Sequence, residues 1–415
     1  MDFFNYKGNS LFAEDVEITT LAKEYGTPLY VYSKATLERH LNAFESSFNG
    51  KKHLVCFAVK SCSNLAILNL MAKLGAGFDV VSEGELRRVI AAGGDPHKVV
   101  FSGVGKTYSE IEYALSVGIN CLNIESEEEI ETVVAAARKL GVVANVALRV
   151  NPGVDAKTHP YISTGLKNNK FGITEENAFD LYVKMSKIDC LNVSGIDCHI
   201  GSQMTSGMPI IEATDKIISL YNKLLAAGIK VDHIDMGGGL GVTYDNETPP
   251  TPSEYIAPIL ERLNDIDVAL YLEPGRAMVA NASVLLAKVV YQKNNGDKHF
   301  VITDTGMNDM IRPALYGSWM TIINSTIHDD VPEVLSDVVG PICESDDFLG
   351  KDRKLKVKNG DILAVRGAGA YGSSMASTYN SRRLPCEVLV DKDKTYVIKK
   401  RQTFEDIWKD ECIIK

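Results

Sequence analysis

The chain has 415 residues, which at roughly 100–200 residues per domain allows two or three folding units with sizeable cores. Its 45% hydrophobic and 24% charged residues are ordinary for a globular protein and exclude disordered, collagenous and coiled-coil readings. Forty-four Lys and Arg against 54 Asp and Glu leave a net charge of −10, which argues against binding nucleic acid or anionic membranes through bulk charge and favours small-molecule work.

In chain order, the first residues show no basic stretch before an apolar run, and no segment approaches a membrane span, so a cytoplasmic protein is expected. Residues 28–32 are strand-like. The first clear apolar strand, residues 54–59, is followed by Asn64 and a helically periodic run that ends at Gly75. A second strand lies at 78–81, and Ser82 with Glu85 reads as a capping box opening a helix to Gly93. The unit repeats: strand 98–102 precedes the box Thr107 to Glu110, and strand 120–125 precedes Ser126 to Glu129 and a helix to Leu140. Further strands at 142–150, 193–200, 231–236 and 268–273 are each separated by a helix-length segment.

Strands alternating with helices imply a parallel sheet, because a parallel neighbour needs a crossover of a dozen or more residues. This many units in about 220 residues fit a closed (β/α)8 barrel better than an open sheet. After Pro274 the texture changes to β-like runs at 283–291, 299–303, 361–366, 387–390 and 396–399. The fold class is therefore α/β: a (β/α)8 TIM barrel over residues 36–275, and a β-rich domain of residues 1–35 and 276–415. The eight cysteines are scattered without a C-x-x-C pair, which suits reduced thiols, mostly core filler, better than disulfides or a zinc site, and no metal is expected.

In such a barrel the active site is built at the C-terminal ends of the strands. Polar or glycine-rich strand ends occur at Lys60, Asp79, Arg149 and Asn151, the run His199-Ile200-Gly201-Ser202-Gln203, Gly237-Gly238-Gly239, and Glu273-Pro274-Gly275-Arg276. Taken singly, each has a plain reading: a snorkelling lysine, a core histidine, a tight turn, a salt bridge. Taken together, they supply an amine whose apolar surroundings lower its pKa for Schiff-base chemistry, an imidazole able to stack on a ring, bare backbone N–H groups for a phosphate, and a buried carboxylate for a ring nitrogen. That set describes pyridoxal 5′-phosphate. A literal G-x-G-x-x-G at 367–372 mimics a dinucleotide fingerprint, but the stretch after it is short and polar for a crossover helix, and too little chain remains to complete a nucleotide-binding half.

With these residues in view the chain resembles, over essentially its whole length, the fold-type III pyridoxal-phosphate decarboxylases, whose barrel is of the alanine-racemase type, and within them the diaminopimelate decarboxylases. The resemblance is carried by Phe57-Ala58-Val59-Lys60, the run from Phe78-Asp79 to Glu85, His199 to Gln203, Gly237-Gly238-Gly239, Glu273 to Arg276, Gly306-Met307-Asn308-Asp309, Arg312 to Tyr316, Gly340 to Ser345, and Gly369-Ala370-Tyr371-Gly372. It implies that Lys60 carries the cofactor, His199 stacks on its ring and Glu273 pairs with its nitrogen. Asp79, Ser202, Gly238, Gly239, Gly275, Arg276 and Tyr371 complete cofactor binding. Arg276, Arg312, Tyr316 and Tyr371 would grip the far carboxylate of the substrate, Glu344 its distal ammonium, and Cys343 would be the proton donor. It also implies a homodimer with active sites shared between subunits, meso-2,6-diaminopimelate as substrate and L-lysine as product.

Decarboxylases of ornithine, arginine or carboxynorspermidine are the nearest alternatives. Arg312 with Glu344 argues against them, since two groups reading one distal zwitterion would be left unpaired. An amino-acid racemase would need a second base on the opposite face. A non-catalytic carrier would be expected to lose Lys60 or the Cys343-Glu344 pair. The chain departs from the family pattern at Ser61-Cys62, where Ala-Asn is expected, at Trp319, where relatives often carry histidine, and at Ser381-Arg382-Arg383 in place of Ser-Arg-Pro.

Overall fold

The computed structural model describes residues 2–155 and 169–414. They form two compact units: one of residues 40–242 and 247–278, the other of the chain up to Arg39, Thr243–Asn246, and everything from Val279 onward.

The first unit is a closed parallel barrel. Its strands are His53–Ala58, Gly77–Val80, Val99–Phe101, Cys121–Ile124, Ala144–Asn151, Leu191–Asp197, His233–Asp235 and Ala269–Leu272, each paired to the next and the last paired back to the first. The strands are nearly continuous apolar runs because both faces are covered, the outer by helices and the inner by the barrel's own filling. Inside, Cys56, Val100, Cys121 and Ala147 form a layer of small side chains. Burial there pushes the Cys121 thiol up to about 12, so it stays a neutral packing group.

The helices begin where their caps dictate. Thr107 and Glu110 make a full reciprocal capping box at the helix Tyr108–Ser116. Ser82 and Ser126 also accept from the third helical N–H, of Glu85 and Glu129. Their glutamates, however, reach one residue further back, to the N–H groups of Val81 and Glu125, both at 2.9 Å. The same residue pattern thus satisfies two backbone donors by a different route.

The second unit is built on one long strand, Ser283–Asn295, which pairs antiparallel with Lys298–Thr303, Ile362–Arg366 and the N-terminal strand Leu29–Ser33. Leu29–Ser33 lies between it and the parallel partner Cys386–Asp391. Every residue of Leu29–Ser33 is buried: Leu29 and Val31 join a core with Val284, Leu286 and Val388, while the Tyr30 hydroxyl on the other face donates to the Asp309 carbonyl at 2.5 Å. Strands Ile322–Asn324, Val334–Val339 and Phe348–Leu355 are additions to the sequence reading, which left this polar stretch unassigned. Residues 367–372 lead into short 3-10 turns, Ser373–Met375 and Tyr379–Ser381, with no crossover helix, and a Cβ at Gly369 would strike the Val279 carbonyl. Close backbone packing is what these glycines serve. Among the described residues no helix is long and apolar enough to cross a membrane.

Candidate active site

The mouth of the barrel gathers the polar strand ends. Lys60 does not end a strand; it sits in the 3-10 turn Val59–Ser61 just after His53–Ala58. Its Nζ lies 2.6 Å from Asp79 Oδ2, with the lysine side chain 36% exposed and the aspartate fully buried. Besides the apolar residues that precede it in sequence, the amine thus faces a carboxylate and solvent, partners that the apolar strand did not reveal. Ser61 is buried and its hydroxyl donates to the Ala58 carbonyl at 2.8 Å, so it closes this turn.

Glu273 follows the last barrel strand. Its N–H donates to the Gly237 carbonyl at 2.7 Å, and Ser102 donates to its Oε1 at 3.3 Å. One oxygen each of Asp197, Asp235 and Glu273 lies within 4.8 Å of the others, all three residues buried. Burial, then the charges of Asp79, Asp235 and Asp197, pushes the Glu273 carboxyl well above the usual range, and burial lifts Asp235 to about 7. Asp79 Oδ1, Asp197 Oδ1 and Asp235 Oδ2 have no hydrogen-bond partner among the described residues. Among the described residues, the opposing charges that act most on this cluster are Lys60, on Glu273 and Asp235, and Arg149, on Asp235 and Asp197. Arg149 is itself engaged by Glu125 at 2.9 Å. A buried carboxylate cluster short of positive charge fits a group that brings a protonated ring nitrogen.

His199 lies against the glycine run. Its Nδ1 accepts the Gly238 N–H at 3.1 Å, and burial, Arg149 and Lys60 hold its pKa well below the usual range, so the ring is neutral. Gly237 adopts φ 66°, and a Cβ there would stand 2.6 Å from His199 Nδ1. A Cβ on Gly238 would strike the Glu273 carbonyl, and the Tyr255 hydroxyl donates to the Gly238 carbonyl at 2.9 Å. The Gly237 N–H donates to Asp235 Oδ1 at 2.8 Å, so the donors of Gly237 and Gly238 are engaged within the protein, not bare as the sequence suggested. The glycines instead give close backbone approach beside a neutral imidazole and the buried carboxylate, which suits an aromatic cofactor. Arg276 opens the short helix Arg276–Val279, its Nε and Nη2 reaching Ser202 Oγ at 3.4 and 3.3 Å. A Cβ on Gly275 would press on Ala58 and Ser61.

The second unit carries the remaining predicted residues. Arg312 and Tyr316 begin and end one helical turn, Arg312–Tyr316. The Arg312 guanidinium is buried, stacked 4.6 Å from the Tyr244 ring centroid and directed to Ser318 Oγ at 3.4 Å and Met320 Sδ at 3.5 Å. Cys343 and Glu344 are exposed. Glu344 lines a cavity of about 350 Å³ with Met307, Ile311, Ala314 and Leu315. Tyr371 is half-buried with φ 57°. Trp319 covers the Arg353 guanidinium at 3.2 Å, and Arg383 lies over the Phe404 ring at 4.7 Å, so both departures from the family pattern have local packing partners. Of the other cysteines only Cys412 is exposed.

Residues 34–280 match the family described as pyridoxal-dependent decarboxylase, pyridoxal binding domain. The diaminopimelate decarboxylase of Haemophilus influenzae is 54% identical over 409 residues, covering 98% of this chain and 99% of the relative. The chain belongs to the diaminopimelate decarboxylase family. Among solved members of the family, the Helicobacter pylori enzyme complexed with L-lysine superimposes with a TM-score of 0.92 at 43% identity, over 95% of this chain and 98% of that one. The M. jannaschii enzyme in co-complex with L-lysine gives 0.95 at 38% identity, over 100% and 98%.

Sequence reasoning passed over Asp235, Asp197, Ser102 and Tyr244. Asp235 and Asp197 were visible as charged residues inside apolar barrel strands, the same signal that singled out Glu273. Tyr244 sits in a loop within a polar, Pro-rich stretch and carried no local signal; only the fold brings it under Arg312.

Proposed function

We propose that the chain decarboxylates meso-2,6-diaminopimelate to L-lysine and CO2, the last step of bacterial lysine biosynthesis, as a carboxy-lyase using pyridoxal 5′-phosphate held at the barrel mouth. The observation that carries this reading is the buried Glu273 cluster facing Lys60 in a chain that matches diaminopimelate decarboxylases end to end. When bound, the cofactor supplies an electron sink for the pair left behind by departing CO2. Lys60 would hold it covalently through Nζ. Glu273 holds a proton at the ring nitrogen and so keeps the ring electron-poor. His199, neutral and fixed by the Gly238 N–H, would pack against the ring, while Asp79 orients the Lys60 amine.

Ser202, Gly238, Gly239, Gly275, Arg276 and Tyr371 bind the phosphate. Arg276, Arg312, Tyr316 and Tyr371 read the substrate's far carboxylate, where a planar guanidinium fork fixes both position and length. The Tyr244 ring beneath Arg312 supports this, because a stacked guanidinium loses little further freedom on binding. Glu344 reads the distal ammonium, and the exposed Cys343 thiol returns a proton to the carbon that lost CO2. The active form is a cytoplasmic homodimer in which Cys343 and Glu344 serve the neighbouring subunit's site. The exposure of both residues supports that arrangement.

The test is release of CO2 and L-lysine from meso-diaminopimelate, assayed beside ornithine and arginine. Turnover of meso-diaminopimelate alone is expected, and comparable turnover of ornithine or arginine refutes the substrate assignment. Mixing inactive Lys60→Ala and Cys343→Ala subunits should restore roughly a quarter of the activity through hybrid dimers with one intact site. No recovery refutes the shared site.

A further inference from the structure

The corner that carries Cys343 and Glu344 is anchored behind and open in front. Behind it, Ile342 is buried and donates its N–H to Asp347 Oδ2 at 2.6 Å, while Asp347 Oδ1 accepts the Met307 N–H at 2.6 Å. In front, Cys343 and Glu344 meet a second exposed stretch, the turn Tyr379–Ser381. There the Cys343 N–H donates to Asn380 Oδ1 at 2.9 Å, and the Tyr379 hydroxyl donates to Glu344 Oε1.

Two consecutive side chains of one turn thus address two consecutive functional residues. Asn380 and Ser381 both stand at φ 54°, a left-handed backbone that costs non-glycine residues energy and survives only where surrounding contacts hold it. Those contacts are present: the Ser377 N–H donates to the Asn308 carbonyl at 2.8 Å, and Arg382 Nη2 to the Asp304 carbonyl at 2.8 Å. The Glu344 carboxylate in turn raises the pKa of the Tyr379 phenol, which keeps it a donor. An exposed glutamate without such a donor would sample several rotamers and lose freedom on meeting a ligand.

We propose that Tyr379 and Asn380 are positioning residues for this reaction: the Tyr379 hydroxyl sets the Glu344 carboxylate to receive the substrate's distal ammonium, and the Asn380 carboxamide sets the backbone that aims the Cys343 thiol. This rests on the assignment of Glu344 and Cys343 under the proposed function. Specificity for the distal amino group therefore depends on a hydroxyl that never touches the substrate.

The test compares meso-diaminopimelate with 2-aminopimelate, which keeps both carboxylates and lacks the distal amine. Tyr379→Phe retains the exposed ring and should raise KM for meso-diaminopimelate about 3- to 10-fold with kcat within about twofold, and leave KM for 2-aminopimelate unchanged. In a Glu344→Gln background the same substitution should add nothing. Asn380→Gly keeps the left-handed turn but loses the acceptor, and should lower kcat with little change in KM; Asn380→Asp, which restores an acceptor, should recover most of it. Equal effects of Tyr379→Phe on both substrates, or a further loss on top of Glu344→Gln, overturn the proposal. If Glu344→Gln itself leaves the preference for meso-diaminopimelate intact, the assignment of Glu344 fails and the proposal falls with it. If Glu344→Gln abolishes the preference and Tyr379→Phe does not weaken it, the positioning role alone is wrong.

Discussion

Gly237→Ala tests the cofactor cradle at its tightest point. Gly237 has φ 66°, where an alanine in place of glycine costs about 1 kcal/mol. The added Cβ would stand 2.6 Å from His199 Nδ1, 2.8 Å from the Cys198 carbonyl oxygen and 2.9 Å from His199 Cβ, and ordinary contact begins at 3.4 Å. The imidazole or its strand must therefore give by about 0.8 Å, a value set by that shortest distance. Overpacking of this kind costs about 1–3 kcal/mol, and here it falls on the ring assigned to stack on the cofactor and on the bond from the Gly238 N–H. Misplacement by about 1 Å near the reacting groups lowers rates on the order of 100-fold. The expected result is a loss of one to two orders of magnitude in kcat/KM, with weaker cofactor binding in a spectroscopic titration. Gly207→Ala is the control, since a Cβ there meets nothing within 4 Å. Values for Gly237→Ala within about twofold of the parent would refute the close-approach argument.

Lys60→Ala should abolish lysine formation and the visible absorption of the lysine-bound cofactor; it also leaves buried Asp79 without its cation, so adding Asp79→Asn should raise the melting temperature of that variant. For Cys343→Ala, a large fall in kcat with a smaller change in KM is expected, because a proton donor acts in the transition state; a change in KM alone would remove Cys343 from that role. Asp309 gives a pH prediction. Burial raises its carboxyl from 3.8 to about 7, so the folded state holds the proton more tightly than the unfolded one. That stabilisation is fully present below about pH 4 and is lost as pH rises through about 7, an upper value near 4 kcal/mol for a shift of about three units. Asp309→Asn stays neutral throughout, so its melting temperature should match the parent near pH 4 and exceed it at pH 8. Parallel curves would show that Asp309 does not carry the slope.

Much of the barrel was legible in the chain because its strands announce themselves locally: short apolar runs, each followed by a cap and a helical period, leave few alternative topologies. Lys60, His199, the glycine run and Glu273 stood out for the same reason, as polar or bare residues where apolar ones are the rule. The helix starts were readable too, although at Ser82 and Ser126 the partner glutamate bonds the residue before the cap, a choice of rotamer that no pattern specifies.

The sequence alone determined the β/α alternation, the strand ends on which chemistry is possible, and a family resemblance dense enough to name a cofactor. Tertiary structure decided what lies across space. Leu29–Ser33 becomes an interior strand because two segments, each more than 200 residues away, flank it. Asp197 and Asp235 become a buried charge deficit around Glu273 only because barrel closure brings three strand ends within one small volume. Tyr244 comes under Arg312, and the turn Tyr379–Ser381 comes to Cys343 and Glu344, through contacts that leave no local periodicity. Local pattern reports which face of an element is apolar; which polar groups meet is settled by closure and packing of segments far apart in the chain.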